Sequence, residues 1–244
     1  MENLYKFTAS EIRNKISKGE LKAEDVVRQT FERIEKIDGK VGSFVYLRKE
    51  KAIEEAKKLG IDIVAKEGYG EGDKDFRPQL TKIAATNPDV LLIPDYYEQA
   101  ALITTQAREL GMKSQFIGPD GWDGVAKALD SSSYGAIEGS YFTNHYSLDD
   151  KSEKVQNFLK AYREKYGEDP SAFSALSYDA AYLMKDAIEK AGSTEKDQII
   201  EALKNSNFNG VTGHLTFDEK NNPIKAVTVL KIVNGKYKYD TVIQ

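Results

Sequence analysis

The sequence predicts an α/β protein: a parallel, doubly wound sheet with extra helices at its N-terminus and after residue 150. Three observations carry this. Between residues 60 and 117, short β-rich apolar runs alternate with amphipathic helical stretches over brief connections, the rhythm of a parallel sheet. After residue 150 the pattern lengthens to helices of period 3.6. From residue 211 onward the chain is β-rich and punctuated by asparagine turns.

Taken in order, Thr8-Ala9-Ser10-Glu11 forms a capping box, and Ile12 and Ile16 continue it at helical spacing until Gly19. A second helix is expected over 23–37, with Val26, Val27, Thr30, Phe31, Ile34 and Ile37 on one face. Asp38-Gly39 turns the chain, 43–47 alternates as a strand, and 49–59 reads as a helix with Gly60 as its C-cap. A strand follows at 61–65. Helices at 76–85 and 99–110 flank a buried strand at 89–93, Gly111 stops the second helix, and 114–117 is the next strand. Gly68-Tyr69-Gly70-Glu71-Gly72 reads as a turn before a cap at Asp73. Three helices are expected over 155–166, 172–191 and 195–204. Strands are expected over 211–217, 226–233 and 237–242, with Asn221-Asn222 and Asn234-Gly235 as hairpin turns.

Composition narrows the function. With 244 residues, 30% charged and 40% hydrophobic, the chain is long enough for one or two domains with a sizeable core. A net charge of −4 and the absence of a basic stripe argue against nucleic acid as a partner. Lacking cysteine, it has no disulfide, thiolate metal site or cysteine nucleophile. No stretch approaches the ~20 apolar residues of a membrane span. The opening residues lack the charged and apolar regions of a signal peptide, so the compartment is left open, with the cytoplasm as the default expectation.

Five segments carry a family resemblance: GDKDFRPQLTKIAATNPDVLLIPDYYEQAALITTQARELG, GPDGWDG, EGSYFTNHY, FLKAYREKYGEDPSAFSALSYDAAYLMKDAI and GVTGHLTFDEKNNP. In this order, over about residues 56–244, they resemble the periplasmic binding proteins of branched-chain amino-acid ABC transporters, of the type I two-lobe fold. The resemblance implies a non-catalytic receptor whose amino acid sits in a cleft between lobes, and it identifies the sheet here with the second lobe. It places Asp120 where an acidic residue meets the ligand's ammonium group and Tyr96 where an aromatic lines the cleft. A carboxylate on a Pro-Asp-Gly loop accepts charge-assisted hydrogen bonds, and an aromatic face adds a cation–π contribution. The bland readings stand beside these: Asp-Gly is a common turn, and Tyr96 suits a half-buried position at a helix start. Trp122, the only tryptophan, is the third candidate wall, though such a residue more often packs. Residues 139–146 resemble the crossover between lobes and 210–217 the returning hinge, which assigns helices 152–204 to part of the other lobe. The family's opening sheet, with the groups that hold the ligand carboxylate, has no counterpart in these residues.

The first 59 residues, through LYKFTASEI, KGELKAEDV, ERIEKIDGKVGSF and KEKAIEEAKK, resemble the N-terminus of the A subunit of glutamyl-tRNA amidotransferase. The bland alternative is a generic amphipathic helical pair. That family's Ser-Ser-Lys machinery has no match here; Ser131-Ser132-Ser133 lacks the glycine frame and reads as surface. The resulting domain expectation is a helical lead-in at 1–59, whose strand and helix can complete the sheet, and a receptor lobe at 60–244.

No G-x-G-x-x-G, P-loop or H-E-x-x-H motif occurs. His145 and His214 lie far apart in sequence, in expected hinge strands, and Asp149-Asp150 precedes a helix as a cap. No cofactor, metal or enzymatic activity is expected. The expected partner is a branched-chain or other small amino acid, bound weakly or not at all. The alternative is an interaction protein or a natural or engineered fusion without ligand, forming a homodimer, by domain swapping or otherwise. It would use helix faces bearing Val155, Phe158, Leu159 and Tyr162, and Leu176, Ala180, Leu183 and Ile188.

Overall fold

The computed structural model describes residues 58–70 and 72–244, together with Lys15, Lys18 and Glu20. The expected elements at 8–18, 23–37, 43–47 and most of 49–59 lie outside the described residues. The chain divides into two units, Met1–Ile63 and Val64–Gln244. In the first, Lys58 closes a helical turn and Gly60 takes the left-handed φ of 73° expected of a C-cap.

The second unit is built on a five-stranded sheet. In chain order its first elements are α1 (Arg77–Ala84), β1 (Val90–Leu92), α2 (Tyr97–Glu109), β2 (Gln115–Gly118), two 3-10 turns (Asp120–Trp122 and Ser131–Ala136) and β3 (Tyr141–Asn144). Helices α3 (Glu153–Tyr166), α4 (Ala172–Ala191) and α5 (Lys196–Lys204) follow, then β4 (Phe208–Gly210), β5 (Gly213–Phe217), β6 (Pro223–Ile224), β7 (Val227–Val233) and β8 (Lys236–Ile243). Strands β1, β2 and β3 run parallel; β7 joins β3 antiparallel and β8 pairs with β7. Strands β4, β5 and β6 form a separate antiparallel sheet.

Local chemistry explains the elements. Pro78 sits in the first turn of α1, where a missing N–H is harmless, and the Asp75 carboxylate accepts the Arg77 N–H at 3.2 Å. Buried Gln106 of α2 accepts the Phe76 N–H and donates to the Lys74 carbonyl, both at 2.7 Å, fixing the entry to α1. Arg108 lies over the Phe116 ring at 3.9 Å and donates to the Met112 and Ser114 carbonyls, which orders the chain between α2 and β2. Asn234 and Gly235, at φ 50° and 69°, make the two-residue turn between β7 and β8.

Two apolar cores result. The larger joins the five-stranded sheet to α1 and α2 through Phe76, Leu80, Ile93, Ile103, Phe116, Phe142, Leu230 and Ile232. The smaller gathers Tyr146, Val155, Phe158, Leu159, Ala175 and Val211 around α3 and α4.

Several expectations are corrected. Residues 61–65 are not a strand: 61–70 have no regular structure, and Ile61, Ile63 and Val64 are exposed. A strand persists only where a neighbour takes its backbone bonds and a core takes one face. Asp73 is not a helix cap; it closes the preceding turn by accepting the Gly70 N–H at 2.7 Å, while Phe76 stands at the cap position of α1. Within residues 139–146, β3 is an inner strand hydrogen-bonded to both β2 and β7. The expected strand at 211–217 starts two residues later, as β5, which pairs with β4 in a hairpin turning at Val211-Thr212. Val155, Phe158 and Leu159 are not orphaned; they are buried in the smaller core.

Candidate functional site

Parallel strands deliver their following loops to one end of a sheet, and that is where ligands of open α/β sheets bind. Here β1 leads into Pro94-Asp95-Tyr96, β2 into Pro119-Asp120-Gly121-Trp122, and β3 into His145 and Tyr146. Tyr96 and Asp120, chosen from sequence, are thereby brought into adjoining loops.

Their approach is close. A β-carbon on Gly121 would lie 3.0 Å from the Asp95 carbonyl oxygen and 3.3 Å from the Tyr96 ring, so the second loop rests closely on the first. The Tyr96 ring is 61% exposed at the start of α2. Asp95 shapes that start: one oxygen accepts the Tyr96 N–H at 2.7 Å, and the other accepts the Tyr69 hydroxyl. Burial, then the hydrogen bond to and charge of Asp95, push the Tyr69 phenol well above its ordinary range.

Asp120 opens its 3-10 turn with a side chain 49% exposed, and its Oδ2 lies 2.9 Å from His145 Nε2. Trp122 is placed differently. It is fully buried, donates its indole N–H to the Ile93 carbonyl at 3.0 Å, and presses on Gly118, where a β-carbon would fall 2.2 Å from the indole. It fixes the two loops from beneath.

Sequence reasoning missed three residues. His145 had no assigned role, yet it is the partner of Asp120. Asp123 is half-buried and accepts the Ala172 N–H at the start of α4; burial raises its carboxyl, opposed by that bond, by Lys127, by the Asn144 amide and by His145. Tyr237 accepts the Gly124 and Ala126 N–H groups at 2.9 and 3.2 Å, pinning the loop from β8, and burial pushes its phenol up to about 12. No local sequence signal marks these meetings, which depend on the register of β2 against β3 and on the return of β8.

The arrangement is an acceptor for a cation beside an aromatic face, on a rigid loop pair. Among the described residues no helix is long and apolar enough to cross a membrane.

A family model described as periplasmic binding protein matches residues 43–236. The Leu/Ile/Val-binding protein homolog 1 of Brucella abortus is 31% identical over 187 residues, covering 74% of this chain and 49% of that protein. The crystal structure of a leucine-binding protein, LivK, from Thermotoga maritima superposes with a TM-score of 0.69 at 36% identity, covering 78% of this chain and 54% of that one. The branched-chain amino-acid transporter substrate-binding protein LivJ of Streptococcus pneumoniae, solved with isoleucine, gives 0.66 at 32% identity, covering 79% and 56%. The chain thus spans about half the length of the curated relatives it matches. These relatives bind solutes and do not transform them. With the model matching most of the chain and the relatives sharing its sheet, the protein belongs to the periplasmic binding protein family.

Proposed function

We propose that this chain is an amino-acid-binding, non-catalytic protein in which Asp120 receives the ligand's ammonium, Tyr96 lines the site and Trp122 fixes the loops. The observation that carries it is the meeting of the Asp120 and Tyr96 loops at the carboxyl ends of β1 and β2, with the Asp120 carboxylate half-exposed. The relatives' names include leucine, isoleucine and valine, which makes branched-chain amino acids the first ligands to try.

We propose further that these residues alone bind weakly. They make up one lobe, 60–244, with helices 152–204 belonging to part of the other, behind a lead-in at 1–59 related to the glutamyl-tRNA amidotransferase A subunit. A charge-assisted hydrogen bond contributes ~1.5–3 kcal/mol and a cation–π contact ~0.5–2. Immobilising a ligand costs about 4–15 kcal/mol. With the ligand's carboxylate unmatched, little surplus is left.

The test is a pair of probes followed by amide NMR: L-leucine, and 4-methylpentanoate, the same carbon chain without the amine. Leucine should move the Tyr96 and Asp120 signals and the acid should not. Equal effects would reject the ammonium assignment.

A second reading is an interaction protein that dimerises through its helices. It is favoured by the exposed Tyr166, Tyr178 and Tyr182 on α3 and α4, where the Tyr178 and Tyr182 ring centroids are 4.7 Å apart. A monodisperse monomer by light scattering contradicts it.

A further inference from the structure

Asp120 and His145, 25 positions apart, meet because β2 and β3 run parallel, with Gly118 in register with Phe142, and the segments that follow them leave the same end of the sheet. His145 Nε2 lies 2.9 Å from Asp120 Oδ2. The backbone at the histidine is fixed: the His145 main-chain N–H donates to Asn144 Oδ1 at 2.6 Å, and Asn144 is buried. Its side chain is 25% exposed, half as open as that of Asp120. One other carboxylate, Asp123, feels the His145 charge, but it is engaged by the Ala172 N–H. Lys127, whose charge also acts on Asp123, pairs with Glu168 at 3.2 Å. Of the two carboxylates facing the imidazole, Asp120 is therefore the one open to a ligand.

We propose that His145 is a positioning residue of the amino-acid site, setting how much of the Asp120 charge an incoming ammonium finds. The proposal rests on Asp120 as the ammonium acceptor. A neutral imidazole carrying its proton on Nε2 donates one hydrogen bond to Oδ2, fixes the plane of the carboxylate and leaves Oδ1 for the ligand. A charged imidazolium takes up the carboxylate's charge, and an ammonium arriving at Oδ1 then meets a neutralised pair. Proton and ammonium compete for one carboxylate. His214 takes no part; its Nε2 faces Asn207 Oδ1 at 2.8 Å on another sheet.

The experiment titrates L-leucine into the full chain, native, H145Q and D120N, followed by amide NMR shifts, which register weak binding and report that each variant is folded. Glutamine keeps a donor near Oδ2 but never carries charge. Between about pH 7.5 and about pH 5.5 the native affinity should fall about fivefold, the scale of one partly exposed ion pair. H145Q should hold its affinity across the same range, within about twofold of the native value at the higher pH. A native affinity that does not change with pH, or a fall that persists in H145Q, overturns the role of His145 and leaves the ammonium reading standing. D120N binding leucine as tightly as the native chain, or no response to leucine in any variant, overturns both. The pH comparison on the native chain needs no variant to fold.

Discussion

A carboxylate that recognises an ammonium has to be held still and yet remain open, and Asp120 meets both conditions through its neighbours. Asp120→Asn removes the charge and keeps the shape, so leucine binding should weaken about tenfold or more in an NMR titration, with unfolding unchanged. Tyr96→Ala should weaken it by only a few-fold, on the order of one exposed cation–π contact, because the ring is largely solvated and packs little. Gly118→Ala acts on the support instead. It drives a methyl into the Trp122 indole, and chemical denaturation should show a loss of about 1–3 kcal/mol. Tyr96 and Asp120 were legible because each follows a recognisable strand. Trp122 as a buried anchor was half-legible, its burial being decided by Gly118 and the Ile93 carbonyl, which no local pattern reveals. His145 was illegible as a partner, since its meeting with Asp120 depends on the register of two strands.

At the scale of elements, two joints hold the unit together. Asp123 ties the loop after β2 to the start of α4, and its carboxyl is raised by burial above its ordinary range. A raised carboxyl binds protons in the folded state before the unfolded state does, so stability falls as pH rises from the ordinary carboxylate range through the folded value. Asp123→Asn mimics the protonated form. It should match or exceed the native stability at neutral pH, and the difference should shrink on acidification towards the ordinary range; a gap that widens would contradict this. Asp179 of α4 is the second joint: its two oxygens accept the Val211 and Thr212 N–H groups at the β4–β5 turn, each at 2.7 Å. Asp179→Ala leaves two buried donors unpaired and should cost about 2–4 kcal/mol, read as faster hydrogen exchange of those two amides. The helices α3 to α5 were legible from their period, and Asn234-Gly235 from its turn chemistry. The strand expected at 61–65 failed because β-propensity alone supplies neither pairing partner nor core.

For the whole molecule, the proposed reading is a clamp that holds its ligand between two sets of contacts, of which these residues offer one. The family match begins at residue 43, ahead of the boundary near residue 60 that the sequence suggested. Affinity is the quantity at stake. Calorimetric titration of the monomeric fraction with leucine, isoleucine and valine measures it directly. The expected dissociation constant is about 1 mM or weaker, some 4 kcal/mol of binding at most. A sub-micromolar constant in a confirmed monomer would contradict it.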